Sequence, residues 1–109
     1  MDLINLDDAM SRLNNNKKLY IMLLKKFDGK QRLDELLSKI KSGDVVAAEA
    51  SAHAIKGLAA NLSLADLRAK SEEIDIQLKA GNININTAEI VESMDKTLEA
   101  VNLFIAENS

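Results

Sequence analysis

A single histidine, His53, stands in a chain of 109 residues that has no cysteine, no proline and no tryptophan. The chemistry open to such a chain is narrow. Without cysteine there is no disulfide, no thiolate metal site and no thiol nucleophile, and one histidine cannot build a multi-histidine metal centre. What remains is an imidazole with Glu49 four residues before it, Lys56 three after it and Gly57 four after it. Residues three and four apart share a face on a helix. On a helix, this set is a nucleophile with a carboxylate one turn earlier and an ammonium one turn later. Gly57 is the odd member, because glycine inside a helix costs about 1 kcal/mol relative to alanine. A larger side chain there would crowd the imidazole or block an approaching partner.

The helix that carries these residues has an apolar stripe of Ala48, Ala52, Ile55, Ala59 and Leu62. At about 100° per residue this stripe falls about 180° to 260° around the wheel from His53, so the imidazole points away from the core. Val46, Glu49, Ala50, Lys56, Gly57 and Ala60 share the outer side with it, and Ala54 and Leu58 lie at its edges. Most of these side chains are small, which suits a surface that docks a group carried by another protein.

The other elements also follow the helical period, and with no proline and four glycines few breakers interrupt it. Leu6, Ala9, Met10 and Leu13 predict a short first helix ending in Asn14-Asn15-Asn16. Leu19, Leu23, Phe27, Leu33, Leu36, Leu37 and Ile40 predict one long second helix, weakened at Asp28-Gly29 and stopped at Ser42-Gly43, where glycine suits a left-handed cap. Met10, Met22, Met94 and Phe27 are expected core fillers. Asp44 is expected to cap the third helix. Ser63, with Asp66 three residues on, is expected to cap a fourth, whose stripe is Leu64, Leu67, Ile74 and Leu78 and which Gly81 closes. Asn82 to Asn86 form a loop, and Asn86 with Glu89 caps a last helix carrying Ile90, Met94, Leu98, Val101 and Ile105. Together they predict one all-α domain spanning residues 1–109, an antiparallel up-and-down four-helix bundle with a short additional N-terminal helix.

The net charge of −3 speaks against a phosphate-backbone binder, so no nucleic-acid partner is expected. No apolar run approaches the roughly 20 residues needed to cross a bilayer, so no membrane partner is expected. Met1-Asp2-Leu3-Ile4-Asn5 is acidic and polar, unlike a secretory leader, which makes cytoplasm the expected compartment.

The segment Ala52-His53-Ala54-Ile55-Lys56-Gly57-Leu58-Ala59-Ala60-Asn61-Leu62 resembles the histidine-containing phosphotransfer (HPt) domain of bacterial two-component phosphorelays. That family shows histidine, an aliphatic residue two later, then Lys-Gly, small residues and Asn-aliphatic. The likeness extends less specifically over nearly the whole chain. It departs at Ser63, where the family usually has glycine. A glycine serving a left-handed backbone would leave serine strained, whereas one serving a helix start would be replaced acceptably, and the capping pattern favours the latter.

The resemblance implies that His53 accepts a phosphoryl group from a receiver-domain aspartate and passes it to another. It implies Lys56 as the charge that steadies phosphate, Gly57 as the steric opening, and Glu49 as a hydrogen-bond partner for the other ring nitrogen. Partners would be receiver domains of response regulators or hybrid histidine kinases, docking on Val46, Glu49, Ala50, Ala54 and Ala60. Magnesium would sit on the receiver, with no cofactor and no metal on this chain, which is expected to be a monomer and a carrier rather than an enzyme. Arg68, Lys70, Lys25 and Lys26 are read as solvated surface. An HPt-like module that docks a receiver or kinase without carrying phosphate is the second reading. A carboxylate-bridged di-metal bundle needs Glu-x-x-His on two helices, and here the one histidine follows Glu49 by four.

Overall fold

The computed structural model describes residues 2–108, and these contain six helices and no strand. Helix α1 is Leu6–Arg12, α2 Lys17–Lys25, α3 Gly29–Ser42, α4 Val45–Asn61, α5 Ala65–Lys79 and α6 Ala88–Asn108. Contacts run from α3 to α4, α4 to α5, α5 to α6 and α6 back to α3, while α2 leans on α6 and α1 on α2. The helices form an elongated body of 41 × 22 × 22 Å around one apolar core.

The predicted long second helix is two helices. Phe27 folds its ring over the Cα of Gly29, where any Cβ would collide with it. The chain turns at Lys26 to Asp28, and Asp28 precedes α3 with its carboxylate accepting from Arg32 Nε at 2.8 Å rather than capping the backbone. The break uncouples the two apolar stripes. In α2 the buried residues are Tyr20, Ile21 and Leu24, whereas Leu19 and Met22 are exposed, which corrects the expected stripe and removes Met22 from the core. The Tyr20 hydroxyl donates to the Leu62 carbonyl at 2.6 Å, tying α2 to the end of α4. Leu6, expected on the inner face of α1, is likewise exposed.

The helices around the site follow the sequence pattern closely. Gly43 adopts a left-handed φ of 78° after α3, and Asp44 accepts from the Ala47 N–H at 3.0 Å to start α4. Ala48, Ala52, Ile55 and Ala59 have no exposed surface. Three alanines on one face leave room for α5 to lie close against α4.

Ser63 does not cap α5. Its φ is 57°, in the left-handed region, and the residue preceding the helix is Leu64. The Ser63 hydroxyl instead donates to Asp8 Oδ2 at 2.7 Å, a bond that, with one from Arg12, holds the Asp8 carboxyl below its ordinary value. The turn between α4 and α5 therefore needs the conformation that glycine adopts most cheaply, and serine holds it through a bond to α1. Asp66, the expected capping-box partner, accepts from Ser93 Oγ on α6 at 2.6 Å.

Candidate functional site

The site lies where the outer side of α4 meets the second half of α5. His53 is exposed, 62% of its side chain being open to solvent. Its Nδ1 stands 3.6 Å from Oδ2 of Asp75, a carboxylate only 1% exposed. The same oxygen accepts from Lys56 Nζ at 3.0 Å and lies 3.2 Å from Lys79 Nζ. One buried carboxylate oxygen thus gathers three nitrogen-bearing side chains from two helices.

Asp75 reaches this position because it occupies the inner side of α5, three residues before the buried Leu78 and four after the buried Ser71. Burial pushes its carboxyl upward, and the Lys56 and Lys79 ammoniums bonded to it outweigh that penalty, holding it below its ordinary value. The group is therefore anionic at neutral pH, and a buried charge needs such partners to be tolerable. Its second oxygen, Oδ1, and Oε2 of Glu49 are both buried without a hydrogen-bond partner. Glu49, His53 and Asp75 each offer a donor atom within 4.8 Å of the other two.

Sequence spacing brought Glu49, His53, Lys56 and Gly57 together on α4 and missed Asp75 and Lys79. Lys56 is less free than its spacing suggests, since it is only 23% exposed and bonded to Asp75. The carboxylate oxygen at 3.6 Å from Nδ1 is that of Asp75, and the expected partner Glu49 places an oxygen within 4.8 Å of the same group. Two signals pointed to the missed pair. Asp75 falls on the Leu67, Ser71, Leu78 side of its helix, and Lys79 follows it by four, the spacing of a helical ion pair.

Of the remaining residues, Val46 is 82% exposed, Ala50 and Ala54 are exposed, and Ala60 is half-buried. A Cβ placed on Gly57 would meet nothing within 4 Å, so glycine here does not relieve crowding against the imidazole; it leaves the surface low. Ala50 and Ala54 face a shallow recess shared with Arg32, Glu35 and Lys39 of α3. Ala60 borders a larger one, about 420 Å³, walled by Asp8, Arg12, Ser63 and Arg68. Lys70 is turned towards Glu89, 4.0 Å away, and away from the His53 cluster. Among the described residues no helix is long and apolar enough to cross a membrane.

No protein-family model, curated protein or solved structure matches the chain. The functional reading therefore rests on the site itself.

Proposed function

We propose that the chain is a phosphoryl carrier of the HPt kind, an antiparallel four-helix bundle with His53 as phosphoacceptor for receiver-domain aspartates. The observation that carries this is the exposed imidazole backed through Nδ1 by a buried, lysine-neutralised carboxylate. A neutral imidazole has one ring proton, and the anionic Asp75 favours its residence on Nδ1, where it faces the carboxylate. The lone pair is then on Nε2. The 3.6 Å separation is longer than a formed hydrogen bond, and such contacts commonly tighten when the partner docks.

In the forward step Nε2 attacks the phosphorus of the receiver's aspartyl phosphate. The N–P bond forms, the P–O bond breaks, and its electron pair leaves on the aspartate carboxylate. Positive charge that develops on the ring is met by Asp75 through the Nδ1 proton. Transfer onward reverses these steps, a second receiver's carboxylate attacking phosphorus and the N–P pair returning to the ring. Because such transition states spread charge over the phosphoryl oxygens, positioning and electrostatics dominate. Lys56 and Lys79 supply that charge from beside the imidazole, while magnesium and the acceptor carboxylate belong to the receiver. Val46, Glu49, Ala50, Ala54, Gly57 and Ala60 form the docking strip, in which the alanines and Gly57 keep the surface low.

The test is to mix the protein with a phosphorylated receiver domain and follow the phosphate. The expected product carries an acid-labile, base-stable phosphate on the parent and none on His53→Gln. Equal labelling of both proteins overturns the assignment. Stable receiver binding with no labelling of the parent assigns the chain to docking without phosphate transfer.

A further inference from the structure

The Glu49–Asp75 face of His53 has a feature that phosphoryl transfer leaves unused. Lys56 and Lys79 both engage Asp75 Oδ2, while Asp75 Oδ1 and Glu49 Oε2 remain buried and unpartnered. Two facing carboxylates that are both ionised repel; Lys56 and Lys79 offset this at Oδ2 alone, leaving Oδ1 and the Glu49 oxygen with no donor. His53 adds a nitrogen donor, the three donor atoms lying within 4.8 Å of one another. A four-coordinate ion with bonds of about 2.0–2.2 Å draws its ligands to about 3.4 Å apart. His53 Nδ1 already stands 3.6 Å from the lysine-bound Oδ2 of the carboxylate whose Oδ1 is unpartnered, and the exposed imidazole is free to swing the remaining distance to Oδ1.

We propose that Glu49, His53 Nδ1 and Asp75 form a binding site for a first-row divalent cation of the zinc class. One imidazole nitrogen and two carboxylates with an open outer position suit such an ion better than magnesium, which keeps its waters and takes oxygen donors. The consequence rests on the carrier reading given above. The neutral ring has one proton, and a cation bound to Nδ1 takes that nitrogen's lone pair, so the proton resides on Nε2. Nε2 then has no lone pair with which to attack phosphorus. The cation therefore inhibits transfer by fixing the wrong tautomer, without covering the nucleophilic atom.

The experiment titrates the full chain, labelled with ¹⁵N-histidine, with zinc chloride and follows its only imidazole by NMR, with calorimetry for stoichiometry. The expected result is saturable binding of one ion, a shifted Nδ1 resonance and a protonated Nε2. Glu49→Gln and His53→Gln are each expected to weaken binding by more than about tenfold, the low end of what even outer-shell partners contribute. Acceptance of phosphate from a magnesium-loaded receiver should fall in proportion to zinc occupancy and return with a zinc-selective chelator. In Glu49→Gln the ratio of rates with and without zinc should return towards one, which separates this site from zinc acting on the receiver. No saturable binding up to about 100 μM zinc, binding undiminished in Glu49→Gln, or metal on Nε2 overturns the site. Zinc held on Nδ1 by a protein that accepts no phosphate even when metal-free overturns the carrier reading and leaves the site standing.

Discussion

Asp75 and His53 come from different helices, and the buried carboxylate of the first faces Nδ1 of the second at 3.6 Å. Lys56 and Lys79 keep that carboxylate anionic, and on the proposed carrier reading it orients the ring proton and neutralises the charge that develops there. On that reading Asp75 is a positioning residue, and Asp75→Asn separates its effect from docking. Phosphoryl acceptance should slow by about a hundredfold, within the range that proton-handling groups contribute. Affinity for an unphosphorylated receiver should hold. The ¹⁵N shifts of the single imidazole should move towards the Nε2-protonated tautomer. A slow variant with an unchanged tautomer ratio would assign the loss to structure instead.

Gly57 offers a test of the docking strip in which fold and function move in opposite directions. A Cβ at this position meets nothing, so Gly57→Ala should stabilise the protein by about 0.5–1 kcal/mol through helix propensity. Gly57→Leu should also fold, with thermal stability no lower than the parent. On the carrier reading it should nevertheless accept phosphate more slowly, by about tenfold or more, because the leucine stands on the proposed receiver-docking strip. Parent-like transfer by the leucine variant would remove the steric role of this glycine.

How far the fold could be read from residues alone depended on how cleanly each helix separates its faces. In α4 the alanine and isoleucine stripe stands opposite His53, with Lys56 at its flank, so its inner face and its outer face were both legible. In α2 the apolar residues Leu19, Tyr20, Ile21, Met22, Leu23 and Leu24 occupy every direction, and only the turn at Phe27 decides which face is buried. Asp75 was hidden for a different reason. A carboxylate in a helix that also carries Glu72 and Glu73 looks like solvated surface until two lysines from neighbouring turns and helices are placed on it. Half of the site is local to α4 and was readable from spacing; the other half depends on how α5 is rotated against it.

Ser63 shows the same limit in the backbone, and its two effects can be measured separately. Ser63→Ala keeps a side chain at φ 57° and loses the bond to Asp8, so a loss of about 1–2 kcal/mol in urea unfolding is expected. Ser63→Gly loses the same bond but removes the left-handed penalty. It should therefore be about 1 kcal/mol more stable than the alanine variant. If alanine and glycine unfold at the same urea concentration, the turn is not strained.

Tyr20 provides a pH test, because it is the only tyrosine and there is no tryptophan to obscure it. Burial, with a smaller contribution from the Asp8 charge, pushes its hydroxyl up from 10.0 to about 12. The neutral form is the one the fold prefers, since it donates to the Leu62 carbonyl while 1% exposed. A group raised in this way stabilises the fold fully below its unfolded value. That contribution disappears as pH rises from about 10 through about 12. A shift of this size corresponds to roughly 2–3 kcal/mol lost over that interval. Tyrosinate absorbance in the near ultraviolet should thus titrate late and together with unfolding. Tyr20→Phe should begin less stable by about 1 kcal/mol, having left a buried carbonyl without its donor. It should then lose less stability than the parent between pH 10 and 12, because it has no hydroxyl to titrate there. A tyrosinate signal that appears near pH 10 in fully folded protein would show that the hydroxyl is not held by α4.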